Sequence, residues 1–253
     1  MWNPERYLAF SAERARPFHD LLSRVAATDP AEVADLGCGP GTLTATLTTR
    51  WPRAHVVGVD SSAEMVAAAR RVGGFDVVLA DLREWEPDGS VDVLVSNATL
   101  QWVPGHLALL PRFVTMLAPG GWLAFQVAAN FAAPSHTLLH RVSDSPRWRH
   151  RIGGSRVDRP SSHDPNVYLA ALADVGCTVE AWETTYLLVL PGDDAVLEWV
   201  SGSALRPILV ELDEAERAEF IAEYGALLRE AYPRRRYGTV LPYRRVFAVA
   251  RRP

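Results

Sequence analysis

ADLGCGPGTLT, residues 34–44, closes a short apolar run and then sets glycine at every second position: Gly37, Gly39 and Gly41. Glycine lets the backbone turn sharply there and approach a ligand closely. The following TLTATLTTRW (42–51) spaces Leu43, Leu47 and Trp51 four apart, a helical stripe. The loop therefore leads into a helix whose first N–H groups and positive dipole end are free. A dinucleotide fingerprint, G-x-G-x-x-G read from Gly37, puts its third glycine at position 42, which is Thr42. That disfavours an NAD-dependent dehydrogenase. A phosphate P-loop needs Gly-Lys-Ser/Thr, and all 26 basic residues of this chain are Arg. The same absence removes any Schiff-base lysine. What remains is D-x-G-x-G-x-G, with Asp35 ahead of the first glycine.

Outward from this loop the chain alternates strands and helices. EVADLG (32–37), HVVGVD (55–60), DVVLAD (76–81), VDVLVSN (91–97) and GWLAFQV (121–127) are five apolar runs. SSAEMVAAARR (61–71) reads as a helix opened by Ser61 as N-cap, with Glu64 three residues on. HLALLPRFVTML has helical spacing, with Pro111 weakening its first turn, and APGG at 118–121 signals a turn. Strands apolar on both faces, alternating with helices, predict a Rossmann-like, doubly wound α/β sheet, mostly parallel. The second half reads as a helix at 167–176 with Gly176 as C-cap, long strands at 177–190 and 244–252, and helical stretches at 193–202 and 211–231. This predicts one antiparallel strand near the edge and a helical cap built from the N-terminus and the C-terminal insertions. The expected organisation is a single domain: a helical segment over 1–30, a ligand-binding core over 31–127, and cap insertions with closing strands over 128–253.

Composition narrows the classes. The 253 residues are 48% hydrophobic and 22% charged, against a disordered chain, and the net charge of −4 disfavours a general nucleic-acid binder. No apolar run approaches the ~18–20 residues of a membrane span. MWNPERYLAFSAER lacks the pattern of a secretory signal, and Cys38 and Cys177 give neither a disulfide framework nor a metal cluster. A cytoplasmic enzyme or small-ligand protein is the expectation. Cys38 reads as a small residue filling the turn rather than a nucleophile. Residues 128–166 stand apart: they hold 6 Arg against 3 acids and four of the seven histidines. Within them, 144–163 is rich in Arg, Ser, Gly and Pro, and reads either as a solvated loop or as a mobile basic cap over an anionic ligand.

DLGCGPG resembles motif I of the class I S-adenosylmethionine-dependent methyltransferases, and its companions follow in order. Asp60 ends the second strand, where the resemblance implies an acid on the ribose hydroxyls, with Ser61 beside it. Asp81, in ADLREW, implies an acid near the adenine amine, with Leu82 along the ring. Asn97, in SNATLQW, implies contact with the methionine moiety. Acids at successive strand ends suit a ribose diol and an amine, all donors, better than a phosphate. Arg14 and Arg16 on the first helix are candidates to pair with the carboxylate of the cofactor.

The resemblance narrows further beyond these motifs. WNPERYLAFSAERARPFHDLL, SNATLQWVPGHLALLPRFVTMLAPGGWLAFQV, PSHTLLH, EWVSGSALRPIL and RRVFAVARR are similar to the trans-aconitate 2-methyltransferase family. This implies methyl transfer from S-adenosylmethionine to a carboxylate of trans-aconitate or a related small polycarboxylic acid, giving a monomethyl ester and S-adenosylhomocysteine, with no metal. Segment 144–163 departs most from the family. A carboxylate of pKa about 4 is ionised at neutral pH, so no general base is expected and positioning carries the catalysis. Candidates to hold the acid are Gln101, Trp102, His136, Tyr186 and Arg206; the Arg234–Arg236 cluster reads as a solvated turn. The expected partner is a small anionic substrate, with no nucleic acid or membrane, for a monomer or weak homodimer. Alternatives are another small-molecule or carrier-bound-acyl methyltransferase, which a basic docking surface would mark, and a non-catalytic S-adenosylmethionine-binding protein, which the intact SNATLQW disfavours.

Overall fold

The computed structural model describes residues 11–152, 161–202 and 204–253, apart from the side chains of Ser11, Ala12, Arg14 and Arg206. Its elements are α1 (Ser11–Leu22), β1 (Glu32–Leu36), α2 (Thr44–Arg50), β2 (His55–Asp60), α3 (Ala63–Val72), β3 (Asp76–Leu79) and β4 (Val91–Asn97). Two 3-10 turns (Leu100–Trp102 and His106–Leu109) lead into α4 (Leu110–Met116) and β5 (Leu117–Ala128). Then come α5 (Pro134–Ser143), α6 (Pro165–Ala173), β6 (Thr178–Leu190), α7 (Ala195–Ser201), α8 (Arg206–Leu209), α9 (Glu214–Ala231) and β7 (Thr239–Arg251).

One seven-stranded sheet runs in the order β3-β2-β1-β4-β5-β7-β6. β1 to β5 pair in parallel, and β7 lies antiparallel to β5. The doubly wound sheet with an antiparallel strand near its edge is therefore present. The central strands are buried because both faces are covered by crossover helices: Val33, Ala34, Leu36 and Val93–Val95 are all nearly inaccessible. β1 has β2 on one side and β4 on the other, so the winding reverses between β1 and β4. Ligands of open α/β sheets bind at this reversal, outside the carboxyl ends of the strands.

Several boundaries differ from expectation, each for a local reason. α3 is capped by Ser62, whose side chain accepts from the Met65 N–H, and not by Ser61. The Asp60 carboxylate takes the Ser62 N–H and delays the helix by one residue. β3 stops at Leu79, so Asp81 lies in the turn beyond the strand. Pro111 sits in the first turn of α4, where its missing N–H costs nothing, because the preceding residues form a separate 3-10 turn. APGG does not precede β5 but lies inside it: Val91 pairs with Leu117 and Val93 with Trp122, a bulge that Gly120 permits at φ 78. α6 ends at Ala173 with Asp174 as C-cap; Gly176, at φ 88, follows it and donates to the Ala173 carbonyl. β7 starts at Thr239, five residues before the expected strand.

The described chain divides into two compact units. One comprises Ala15–Ala128, Ser161–Thr184 and Arg245–Pro253. The core thus regains residues beyond 127: α6, the first half of β6 and the end of β7. The other unit holds α5, α7, α8 and α9 with the remaining parts of β6 and β7. In that unit α9 packs on α5, where the Tyr224 hydroxyl donates to the Ser135 carbonyl at 2.5 Å and the Tyr232 hydroxyl accepts the Ser135 N–H at 3.0 Å. None of the described helices is long and apolar enough to cross a membrane.

Candidate functional site

The glycine loop begins where β1 ends. Asp35 is 2% exposed; its Oδ2 accepts from the Thr44 hydroxyl at 2.6 Å, and its Oδ1 has no hydrogen-bond partner among the described residues. Burial outweighs the Thr44 bond and, with Asp60 nearby, pushes the Asp35 carboxyl up to about 6. Gly37 has φ 80, and a Cβ there would lie 2.2 Å from the Thr99 hydroxyl oxygen. Its N–H and that of Cys38 both donate to the Val59 carbonyl, at 2.7 and 3.1 Å, fastening the loop to β2. Gly41, also at φ 80, leaves room for Ala69 and Phe75. A Cβ on Gly39 would meet nothing within 4 Å, so this side of the loop faces open space. Cys38 is buried against Gly58, and burial raises its thiol to about 12, which removes it as a nucleophile.

Two carboxylates flank the loop. Asp60, at the end of β2, accepts the Gly39 N–H on Oδ2 and the Ser62 N–H on Oδ1, both at 2.9 Å. It therefore fixes the height of the loop as well as the start of α3. Ser61 is exposed beside it. Asp81 accepts the Arg83 backbone N–H at 2.8 Å and a two-pronged guanidinium bond at 3.0 and 2.5 Å. The Arg83 contacts hold the Asp81 carboxyl below the usual range. Any amine bound by Asp81 shares it with Arg83. Leu82 is buried next to it, and its carbonyl accepts from Arg112 at 3.1 Å.

The end of β4 forms the third part. Ser96 donates to the Leu36 carbonyl at 2.9 Å, locking β4 to β1. Asn97 Oδ1 accepts from Gln126 Nε2 at 2.6 Å. Ala98 then takes φ 54, a left-handed conformation that is strained for a residue with a Cβ. Gln101 secures that turn: it is 4% exposed and donates from Nε2 to the Ala98 carbonyl at 2.5 Å. Trp102 is 48% exposed, so it is not a core residue. Thr99 was not singled out by the sequence, yet its hydroxyl donates to the Gly37 and Asn97 carbonyls at 3.2 and 3.1 Å and fills the notch above Gly37. Thr44 was missed although its partner Asp35 is only nine residues away; Gln126 and Arg245 act through partners 29 and 119 residues away that no local pattern announces.

The other candidates belong to the second unit or lie outside the described residues. His136, on α5, packs edge-on against Phe131 and faces the Ser135 hydroxyl at 3.2 Å. Burial, with His140 nearby, lowers its pKa to about 4. It is therefore neutral at pH 7, and offers an acid hydrogen bonding rather than a positive charge. Tyr186 is buried on β6. Arg206 opens α8, and its side chain, like that of Arg14, lies outside the described residues. In segment 144–163, residues 153–160 also lie outside the description. The part before them is not a loose basic cap. Arg147 and Arg151 pair with Glu219 and Glu216 of α9, and Trp148 is buried against Phe220 with its Nε1 donating to Glu223 at 2.8 Å. In the core unit, the Ser161 N–H donates to the Gln101 carbonyl at 2.9 Å and the His163 N–H to the Tyr168 hydroxyl at 3.1 Å. Arg234, Arg235 and Arg236 are exposed, as expected of a surface turn.

Comparison with known proteins places this geometry. A family model described as a methyltransferase domain matches residues 33–121. The trans-aconitate 2-methyltransferase of Streptomyces coelicolor is 51% identical, aligned over 100% of this chain and 87% of that protein. That of Mycolicibacterium gilvum is also 51% identical, over 99% of both chains. The chain belongs to the trans-aconitate 2-methyltransferase family. Among solved structures, an S-adenosylmethionine-dependent methyltransferase from Mesorhizobium loti superposes with a TM-score of 0.54 at 20% identity, covering 94% of this chain and 98% of that one; it shares the fold.

The loop of this family member suits a phosphate-free nucleoside sulfonium better than a phosphate. Two carboxylates stand at or just past the ends of β2 and β3, and a third, Asp35, is buried with an oxygen lacking a donor among the described residues. Such a set attracts hydroxyl, amine and ammonium donors and repels phosphate.

Proposed function

We propose that the chain transfers the methyl group of S-adenosylmethionine to a carboxylate of trans-aconitate, giving a monomethyl ester and S-adenosylhomocysteine. The observation that carries this reading is the reach of the similarity. Identity of 51% spans 100% of the chain, the second unit as well as the glycine loop, so it covers more than a shared cofactor fold.

Bound at the loop, the cofactor supplies a methyl group activated on a sulfonium. Asp60 and Asp81 are assigned to its ribose hydroxyls and adenine amine, Asp35 and Asn97 to its amino-acid end, and the open side of Gly39 leaves room for it. The acceptor carboxylate is already ionised at neutral pH, so the protein need not remove a proton. Its work is alignment and exclusion of water, effects worth up to ~7–11 kcal/mol in favourable cases. Arg206 is the assigned cation for the acid, since a planar guanidinium matches a carboxylate in two hydrogen bonds. The test is incubation of the purified chain with isotopically labelled S-adenosylmethionine and a panel of tricarboxylic and dicarboxylic acids, with products read by mass spectrometry. A trans-aconitate monomethyl ester as the preferred product supports the reading. A neutral alcohol methylated faster than every polycarboxylate overturns it.

A further inference from the structure

Three polar side chains cross neighbouring strands at the end of β4. Asn97 and Gln126 are register partners in the parallel β4–β5 pair. Across the antiparallel β5–β7 pair Gln126 opposes Phe247, and Arg245, opposite Ala128, is its diagonal neighbour. Such neighbours are within reach of long side chains. Gln126 is 1% and Arg245 5% exposed. Arg245 Nη1 donates to Gln126 Oε1 at 3.4 Å, and Gln126 Nε2 donates to Asn97 Oδ1 at 2.6 Å.

The direction of this chain follows from the arginine. A guanidinium has five N–H donors and no acceptor. Beside it Gln126 must turn its carbonyl toward Arg245, which leaves its NH₂ facing Asn97. Asn97, meeting a donor, must turn Oδ1 to it. An Asn–Gln pair alone is equally satisfied with both amides reversed; only the arginine breaks the tie. Asn97 is left presenting Nδ2, which has no acceptor among the described residues. The backbone of Gln126 adds to this hold: its carbonyl accepts the N–H of strained Ala98 at 3.0 Å.

We propose that Arg245 and Gln126 are positioning residues that fix Asn97 as a hydrogen-bond donor, and that Asn97 Nδ2 binds a ligand carboxylate at the carboxyl end of β4. The inference rests on the methyl-transfer reading, in which the amino-acid end of the cofactor and the acceptor acid both offer a carboxylate. Gln126→Glu inverts the relay at nearly constant shape. A carboxylate at 126 accepts from Arg245 on one side and forces Asn97 to turn Nδ2 toward it, so that Oδ1 faces the ligand. The buried pair stays matched, and the thermal midpoint is expected to hold. If the carboxylate is that of the cofactor, S-adenosylhomocysteine affinity by calorimetry falls about 10- to 100-fold while binding of its decarboxylated analogue does not change. If it is that of the acceptor, S-adenosylhomocysteine affinity holds and the KM for trans-aconitate rises by a similar factor, with a smaller change in kcat. Asn97→Ala serves as a second variant and should lose the same affinity should Gln126→Glu fail to fold. A folded Gln126→Glu or Asn97→Ala protein with unchanged cofactor affinity and unchanged KM overturns the proposal. A wild-type chain that binds S-adenosylhomocysteine but methylates no polycarboxylate overturns the functional reading instead; the relay is then decided by the calorimetric comparison alone.

Discussion

Asp60 and Asp81 are both carboxylates beside the glycine loop, but they hold different things. Asp60 grips two backbone N–H groups, of Gly39 and Ser62, whereas Asp81 grips the exposed side chain of Arg83 as well as its backbone. Losing Asp60 therefore loosens the loop in addition to removing an acceptor. Asp60→Ala is expected to weaken S-adenosylhomocysteine binding by roughly 1–3 kcal/mol, the range for a hydrogen bond to a charged group, and Asp81→Ala by less. Calorimetry on both variants checks the order; equal losses would remove the distinction. Gly37 makes the complementary case. Gly37→Ala is strained both by φ 80 and by Thr99, whose hydroxyl oxygen would lie 2.2 Å from the new Cβ, so Thr99→Gly should restore part of the lost thermal stability but not all. Spacing made Gly37, Gly39 and Asp60 legible in the sequence, because they stand at the ends of two successive strands of one β–α–β unit. Thr99 was not legible, because its fit to Gly37 exists only once β4 lies beside β1.

Boundaries of elements were less legible than their existence, and the causes are tertiary. Ser61 and Ser62 are equally good caps by composition, and only the Asp60 carboxylate selects the second. The Arg-rich stretch after α5 lacks helical or strand periodicity because what orders it is α9, more than sixty residues further along. α9 itself starts on a reciprocal cap: the Asp213 side chain accepts the Glu216 N–H at 2.9 Å, and Glu216 accepts the Asp213 N–H at 3.1 Å. The Arg147–Glu219 pair is exposed on both sides and the Arg151–Glu216 pair on the arginine's side, so each is worth at most about 1 kcal/mol. Trp148, 2% exposed on Phe220 and bonded to Glu223, outweighs them. Trp148→Ala is expected to cost about 3–5 kcal/mol and to open residues 145–152 to proteases, while Arg147→Ala should change cleavage little. Limited proteolysis followed by mass mapping of the cut sites decides between them; equal cleavage in both variants would mean that the ion pairs, not the tryptophan, hold the segment.

At the scale of the whole molecule, pH acts on stability and on turnover through different groups. His136 has its pKa lowered to about 4 and His106 is lowered by burial, so the unfolded chain binds more protons than the folded one below about 6.5. Their contribution is full above that pH and is lost as pH falls toward 4. Asp35, raised to about 6, has the opposite sign: its contribution is full below the ordinary carboxylate pKa and is lost as pH rises through 6. The thermal midpoint of His136→Gln relative to wild type is therefore expected to rise between pH 6.5 and 4, read by calorimetric scans. Turnover should behave otherwise. If the nucleophile is a carboxylate, it is ionised throughout the neutral range and needs no base, and Cys38, Tyr168 and His106 are not available as one. Cys38 and Tyr168 are both held near 12, and His106 has one ring nitrogen on the Val103 carbonyl and the other on the Tyr168 hydroxyl. The kcat/KM for trans-aconitate is then expected to be flat from pH 7 to 9, and a neutral triester of the acid should not be turned over. Near pH 6 the profile should bend downward as Asp35 takes up its proton. Because Asp35 lies in the cofactor loop, the same bend should appear in S-adenosylhomocysteine binding measured without any acceptor. A base acting on an alcohol gives a different pattern: rate rising tenfold per pH unit up to the pKa of that base, with cofactor affinity unmoved. A unit slope between pH 7 and 9 would therefore overturn the carboxylate nucleophile and leave the fold and the cofactor loop as they stand.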